Sequence, residues 1–175
     1  MTVFVAFLRG VNLGQRTVKS AELKAAFEDM GFAGVNTLLA SGNVLFEAKS
    51  EQGLTASIEA GLRQKFGFEI GTVLRRQDEL EALVKSDPFG GRKEDRDTKL
   101  YVTFLSEPSG KTLPMPCEAE GDFRVVRLTE REVFILAFRL PSGRYGLGME
   151  QIWKHFGKKT LWTSRNWNTV VKAAG

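Results

Sequence analysis

Cysteine is almost absent. Cys117 stands alone in 175 residues, so no internal disulfide can form, and the chain suits a reducing compartment. Histidine is as scarce: His155 is the single one, 38 positions from Cys117 with no ligand spacing between them. That excludes a zinc site built from Cys and His, and no metal site is expected. A Cys-His nucleophile pair would have to be assembled by folding, and incidental side chains explain both residues more simply. No apolar run approaches the ~20 residues of a membrane span. The N-terminal run Val3 to Leu8 has no basic stretch ahead of it and no small-residue cleavage site after it, so it reads as a first strand. The expectation is a cytoplasmic protein with no membrane partner.

Cofactor loops are missing as well. GVNLGQRT, residues 10–17, is one residue short of a phosphate loop and has Gln15-Arg16 where Gly-Lys should precede the threonine. SGKT, residues 109–112, has the right ending, but Leu105 takes the place of the first glycine and Leu113-Pro114-Met115-Pro116 cannot open the required helix. GLGMEQ, residues 146–151, keeps two of the three glycines of a dinucleotide loop and has no βαβ unit after it. No cofactor is expected, and no pair of carboxylates stands at a spacing that singles it out for acid-base work.

What is present is an ordinary globular composition, 42% apolar and 26% charged, in a chain long enough to bury roughly 70% of its unfolded surface. The net charge of +4 is unevenly placed: residues 139–175 hold seven basic residues against Glu150 alone, a net +6. Trp153, Trp162 and Trp167 fall in the same segment with Tyr145 and Phe156, a mixture that suits a nucleic-acid or phosphate partner. The plainer reading makes the aromatics core and the lysines solvated surface.

Apolar spacing gives the elements. Val3 to Leu8 is a strand. Ser20 can cap a helix carrying Leu23, Phe27 and Met30 at helical spacing up to Gly31. Val35 to Leu39 and Val44 to Phe46 read as strands joined by Ser41-Gly42-Asn43. Leu54, Ile58, Leu62 and Phe66 line one face of a second helix, and a strand runs from Phe68 to Leu74. The order is βαββαβ, the ferredoxin-like arrangement. A short helix, Asp78 to Lys85, completes a first unit over residues 1–85. Residues 86–97, SDPFGGRKEDRD, read as a charged loop or boundary. Residues 98–175 form a second, related α+β half: a strand at Leu100 to Leu105, an irregular stretch over 106–121, a hairpin of Phe123 to Leu128 and Val133 to Phe138, a helix from Met149 to Phe156, and a last helix opening near Ser164 or Asn166. The fold class is α+β.

One site follows from topology. In a ferredoxin-like sheet the end of the first strand and the turn between the second and third emerge together, which puts Arg9, Gly10 and Asn12 beside Ser41, Gly42 and Asn43. An arginine fork, amides, a hydroxyl and glycine N–H groups match a phosphate or another oxyanion. The alternative is a simple hairpin turn with Arg9 neutralising a neighbouring carboxylate. TSRNWNT, residues 163–169, adds Arg165 and Asn166 at the expected start of the last helix, where an anion is favoured. Its alternative is a capped terminal helix with Trp167 in the core.

The run AFLRGVNLG, the block from Leu23 through FEDMGF and TLLASGNVLFE, and the closing RNWNT resemble the bacterial domain of unknown function 1697 family. The resemblance implies an α+β protein with ferredoxin-like halves in a bacterial cytoplasm and brings no established activity. It implies that Arg9-Gly10, Asn12, Ser41-Gly42-Asn43 and Arg165-Asn166 are signature positions. The chain departs from the pattern at Gln15, where a second glycine is usual, and at Leu38-Leu39-Ala40, where the approach to the turn is usually more polar or aromatic.

Three functions are weighed. First is an anion- or phosphate-binding module, its ligand a phosphorylated small molecule or a nucleic acid such as RNA, although no RNP1-like run is present. Second is an enzyme acting on a small anionic metabolite; no activated base is evident, His155 in QIWKHF reading as an ordinary side chain, and the catalytic residues are unassigned. Third is a structural or dimerising protein that uses an open sheet edge.

Overall fold

The structure, a computed structural model, describes residues 1–12, 14, 16–39, 42–109, 113–157 and 159–175. Two compact units divide the chain, one of Met1–Ala82 with Val171–Gly175 and one of Leu83–Val170.

Unit 1 runs β1 (Thr2–Arg9), α1 (Ser20–Asp29), β2 (Ala33–Thr37), β3 (Asn43–Ala48), α2 (Leu54–Phe66) and β4 (Gly71–Arg76), with α3 (Gln77–Lys85) beginning directly after β4 and its last residues belonging to unit 2. The sheet order is β2-β3-β1-β4 with every neighbouring pair antiparallel, the ferredoxin-like arrangement. Alternation in β1 sends Phe4, Ala6 and Leu8 into one core, where Leu23, Ala26 and Phe27 of α1 and Leu54, Ile58 and Leu62 of α2 meet them. Each such Phe, Leu or Ile side chain contributes roughly 1.5 to 3 kcal/mol by leaving water. Phe46 is the hub, with ring centroids 4.8 Å from Phe32, 5.3 Å from Phe27 and 5.8 Å from Phe4. Gly61 lets the two helices close up, since a Cβ there would stand 2.6 Å from Met30 Sδ. The start of α1 differs from expectation: Ser20 is its first helical residue, Lys19 occupies the cap position, and no side chain caps the helix.

Unit 2 contains β5 (Thr98–Leu105), β6 (Glu118–Ala119), β7 (Phe123–Leu128), β8 (Glu132–Phe138), a short 3-10 turn at Leu147–Met149, α4 (Glu150–His155), β9 (Trp162–Asn166) and α5 (Trp167–Ala174), whose last residues belong to unit 1. Its sheet order is β6-β7-β8-β5-β9, also antiparallel. Without the two-residue β6, the order β7-β8-β5-β9 repeats β2-β3-β1-β4. α4 stands between β8 and β9 as α2 stands between β3 and β4. The connection from β5 to β7, residues 106–122, supplies no helix among its described residues.

Strand β9 departs from the sequence reading. Arg165 was expected at the N-terminus of the last helix, but it lies in this strand opposite Val102, and the helix opens at Trp167. The polar run Thr-Ser-Arg-Asn has no strand-like alternation; its extended form comes from pairing with β5.

Candidate functional site

The end of β1 and the β2–β3 turn meet in unit 1. Leu8 N–H donates to the Gly42 carbonyl at 2.8 Å, and Phe7 stands opposite Asn43 in the ladder. Gly42 (φ +71) takes a backbone that L residues resist, and a Cβ there would be tightly placed, 3.1 Å from Val11 Cγ2 and 3.2 Å from Leu8 Cβ. Asn43 is 2% exposed and works within the fold. Its Nδ2 donates to the Leu38 carbonyl at 3.1 Å, and its own carbonyl accepts from Leu38 N–H at 2.9 Å. Between these anchors Leu39 takes a left-handed backbone (φ 57) that L residues resist, and its side chain is exposed. Ser41 lies outside the described residues.

On the other side of the meeting point, Arg9 is exposed at the last position of β1, opposite Gly71 of β4. Gly10 (φ 84) and Gly14 (φ 60) adopt backbones suited to glycine, and exposed Asn12 accepts the Val18 N–H on Oδ1 at 3.1 Å, which closes the loop. Arg16, which the sequence reading passed over, lays its guanidinium 4.5 Å from the centre of the Phe68 ring. The structure thus brings Arg9, Gly10, Asn12, Gly42 and Asn43 to one edge, with Gly42 and Asn43 building the turn and Arg9, Gly10 and Asn12 facing outward in part.

A second group beside this edge carried no sequence signal. Thr72 stands opposite Leu8, donates its N–H to Glu59 Oε2 of α2 at 3.2 Å, and buries a hydroxyl with no hydrogen-bond partner among the described residues. Burial pushes the Glu59 carboxyl above its ordinary range and nearby Glu69 adds to this, while the Thr72 N–H and Arg63 pull the other way. A lone Glu in an amphipathic helix has nothing in its spacing that announces such surroundings.

Arg165 and Asn166 belong to unit 2. Arg165 Nη1 donates to Thr163 Oγ1 at 2.6 Å and to the Ser164 carbonyl at 2.9 Å, and burial lowers its pKa to about 10. Asn166 Oδ1 accepts the Asn168 N–H at 2.9 Å, the N-cap bond of α5, and its Nδ2 donates to Glu94. Asn168 Nδ2 reaches the other oxygen of Glu94 at 3.0 Å, and Leu100 N–H also donates to that carboxylate at 2.9 Å. Glu94 therefore latches the charged 86–97 segment to the start of α5, a role hidden among the charges of RKEDRD.

The aromatic C-terminal segment is largely consumed by packing. Trp153 and Trp162 stack on each other at 4.3 Å, and the Trp153 indole donates to Thr103 Oγ1 at 3.1 Å. Trp167 packs edge-on against Phe89 and Phe134. Cys117 is half-buried, and burial pushes its thiol pKa up, away from reactivity. Among the described residues no group of three or more His, Cys, Asp or Glu gathers as metal ligands, and no helix is long and apolar enough to cross a membrane.

Known proteins supply the last comparison. A conserved bacterial protein, SP0830 from Streptococcus pneumoniae, has a solved structure similar to this chain, with a TM-score of 0.70 at 21% identity over 99% of this chain and 97% of that one. The likeness extends the α+β fold to nearly the full length of both. No curated protein matches. The family model described as "Protein of unknown function (DUF1697)" matches residues 1–134, so the chain belongs to the DUF1697 family.

Proposed function

We propose that the chain is an anion-binding module whose ligand carries a phosphate, held by the loop that follows β1. One observation supports this most strongly. From Arg9 to Ala21 the chain has three basic residues, Arg9, Arg16 and Lys19, and no acidic one, and glycines with left-handed backbones lie within the same loop at Gly10 and Gly14. Such backbones present N–H groups to an anion at close range, and the arginines supply forked charge. With its Oδ1 committed to Val18, the part of Asn12 left for a ligand is its donor amide. Stacking on Phe68 restrains Arg16, which lowers the entropy lost when a ligand is gripped.

The ligand is a phosphorylated small molecule or the backbone of a nucleic acid such as RNA. Calorimetric titration with ribose 5-phosphate and with a short single-stranded RNA, at about 50 mM and about 200 mM salt, separates them. A polymer contacting several phosphates loses affinity steeply between the two conditions; a single phosphate loses little. Absence of heat with both ligands at low salt would count decisively against the proposal.

A second reading, an enzyme acting on a small anionic metabolite, is favoured by Glu59. Its carboxyl, on α2 and raised in pKa, accepts the N–H of Thr72, which stands one strand over from the end of β1, where a proton-carrying group would be useful. Turnover of a phosphorylated metabolite that disappears in Glu59→Gln while binding persists would establish it; turnover unchanged in that variant would remove Glu59 from the mechanism.

A further inference from the structure

An aromatic ring stands close to the basic edge of unit 1. Phe68 lies between the end of α2 and Gly71, the residue opposite Arg9, so at most about 11 Å of chain separates it from that partner. The Phe68 ring is half-buried and packs against the unit 1 core, with the Phe66 ring centroid 6.4 Å away. Arg16 lays its guanidinium over this ring at 4.5 Å and is itself exposed. A guanidinium is planar, so a ring beneath one face restrains the group and leaves the other face as a flat platform. Glu69, the acidic residue next to Phe68, is met by Arg63 at 3.0 Å.

Given the anion-binding reading of this loop, on which the assignment rests, we propose that the ligand of the unit 1 edge is a nucleoside 5′-phosphate. Its phosphate lies at Arg9, Gly10 and Gly14, and its base stacks on the Arg16 guanidinium, which Phe68 backs. Bases stack on arginine planes as they do on aromatic rings, and the stack is tolerant of sequence because every base has a π face. Arg16 thus serves twice, with charge toward the phosphate and a flat face toward the base; a lysine supplies only the first. One platform beside one loop suits a single nucleotide, whereas a strand is followed by a row of stacking side chains. The tryptophans offer no such row: Trp153 and Trp162 stack on each other, and Trp167 packs against Phe89 and Phe134.

The test is an amide-resolved NMR titration of the full chain at low salt with adenosine 5′-monophosphate and with ribose 5-phosphate, which carry the same phosphate group. Both should shift Gly10 and Gly14. The nucleotide should add shifts at Phe68 and bind about five- to hundredfold more tightly, the contribution of one stacked base. Arg16→Lys keeps the charge and loses the plane, so ribose 5-phosphate should bind nearly as before while the nucleotide loses most of its advantage. Phe68→Leu, accepted only if its spectrum remains folded, removes the backing ring and should narrow the advantage in the same direction. Equal affinity for the two ligands, or an advantage that survives Arg16→Lys, overturns the nucleotide assignment and leaves the phosphate reading standing. Absence of binding by both ligands overturns the two together.

Discussion

At the scale of single residues the β2–β3 turn separates what builds the edge from what can bind at it. Asn43→Ala removes a buried amide and leaves the Leu38 carbonyl without its donor. The expected loss is about 1 to 3 kcal/mol in urea unfolding. Gly42→Ala places a Cβ against Leu8 and Val11 on a left-handed backbone, and should cost at least the roughly 1 to 2 kcal/mol of that conformation. Leu39 is the reverse case, an exposed leucine held at φ 57, so Leu39→Asn should retain or raise stability, by up to about 1 kcal/mol. Glu59 supplies a pH test. Its folded pKa lies above the ordinary 4.5, so the folded state holds the proton more tightly than the unfolded chain does. The associated stability is fully present below that ordinary value and is lost as pH rises through the folded pKa. Glu59→Gln should therefore gain on the parent as the solution goes from acid to neutral; a constant difference across that range would contradict the environment assigned to Glu59.

At the scale of elements, legibility follows periodicity. Helices α1 and α2 announce themselves because one face of each is apolar, so Leu23 and Ile58 stand at helical spacing, and strand β1 because its short apolar run is buried on both faces. The hairpin of β7 and β8 is legible for the same reason. Strand β9 was not, because Thr163, Ser164 and Arg165 have no apolar alternation and are extended only by pairing with β5. The meeting of the end of β1, at Leu8, with the Gly42 turn was legible from strand order alone, a property of topology. The roles of Asn43, Glu94 and Thr72 were not, since each depends on a hydrogen-bond partner that no spacing rule supplies. The Glu94 latch carries its own prediction. Glu94→Ala and Asn166→Ala should each destabilise by about 1 to 3 kcal/mol, and the double variant by less than the sum, with a coupling of about 0.5 to 3 kcal/mol. Strict additivity would mean that the two side chains act independently.

At the scale of the whole molecule, one strand plan is used twice and its two edges differ in chemistry. The unit 1 edge is basic and glycine-containing, with Gly42 in its turn; its counterpart in unit 2 has Thr129, Glu130 and Arg131 in the turn. The tryptophans all fall in unit 2, whereas backbone amides report on the Arg9 loop directly. Arg9→Ala should weaken a phosphate ligand about ten- to hundredfold, as expected for a charge-assisted hydrogen bond of about 1.5 to 3 kcal/mol. The most direct measurement is therefore an amide-resolved NMR titration with inorganic pyrophosphate, parent and Arg9→Ala side by side at low salt. The account predicts saturable shifts at Gly10, Asn12 and Gly14 in the parent that are weakened at least tenfold in the variant. Shifts that fall elsewhere, or that are unchanged by Arg9→Ala, would contradict it.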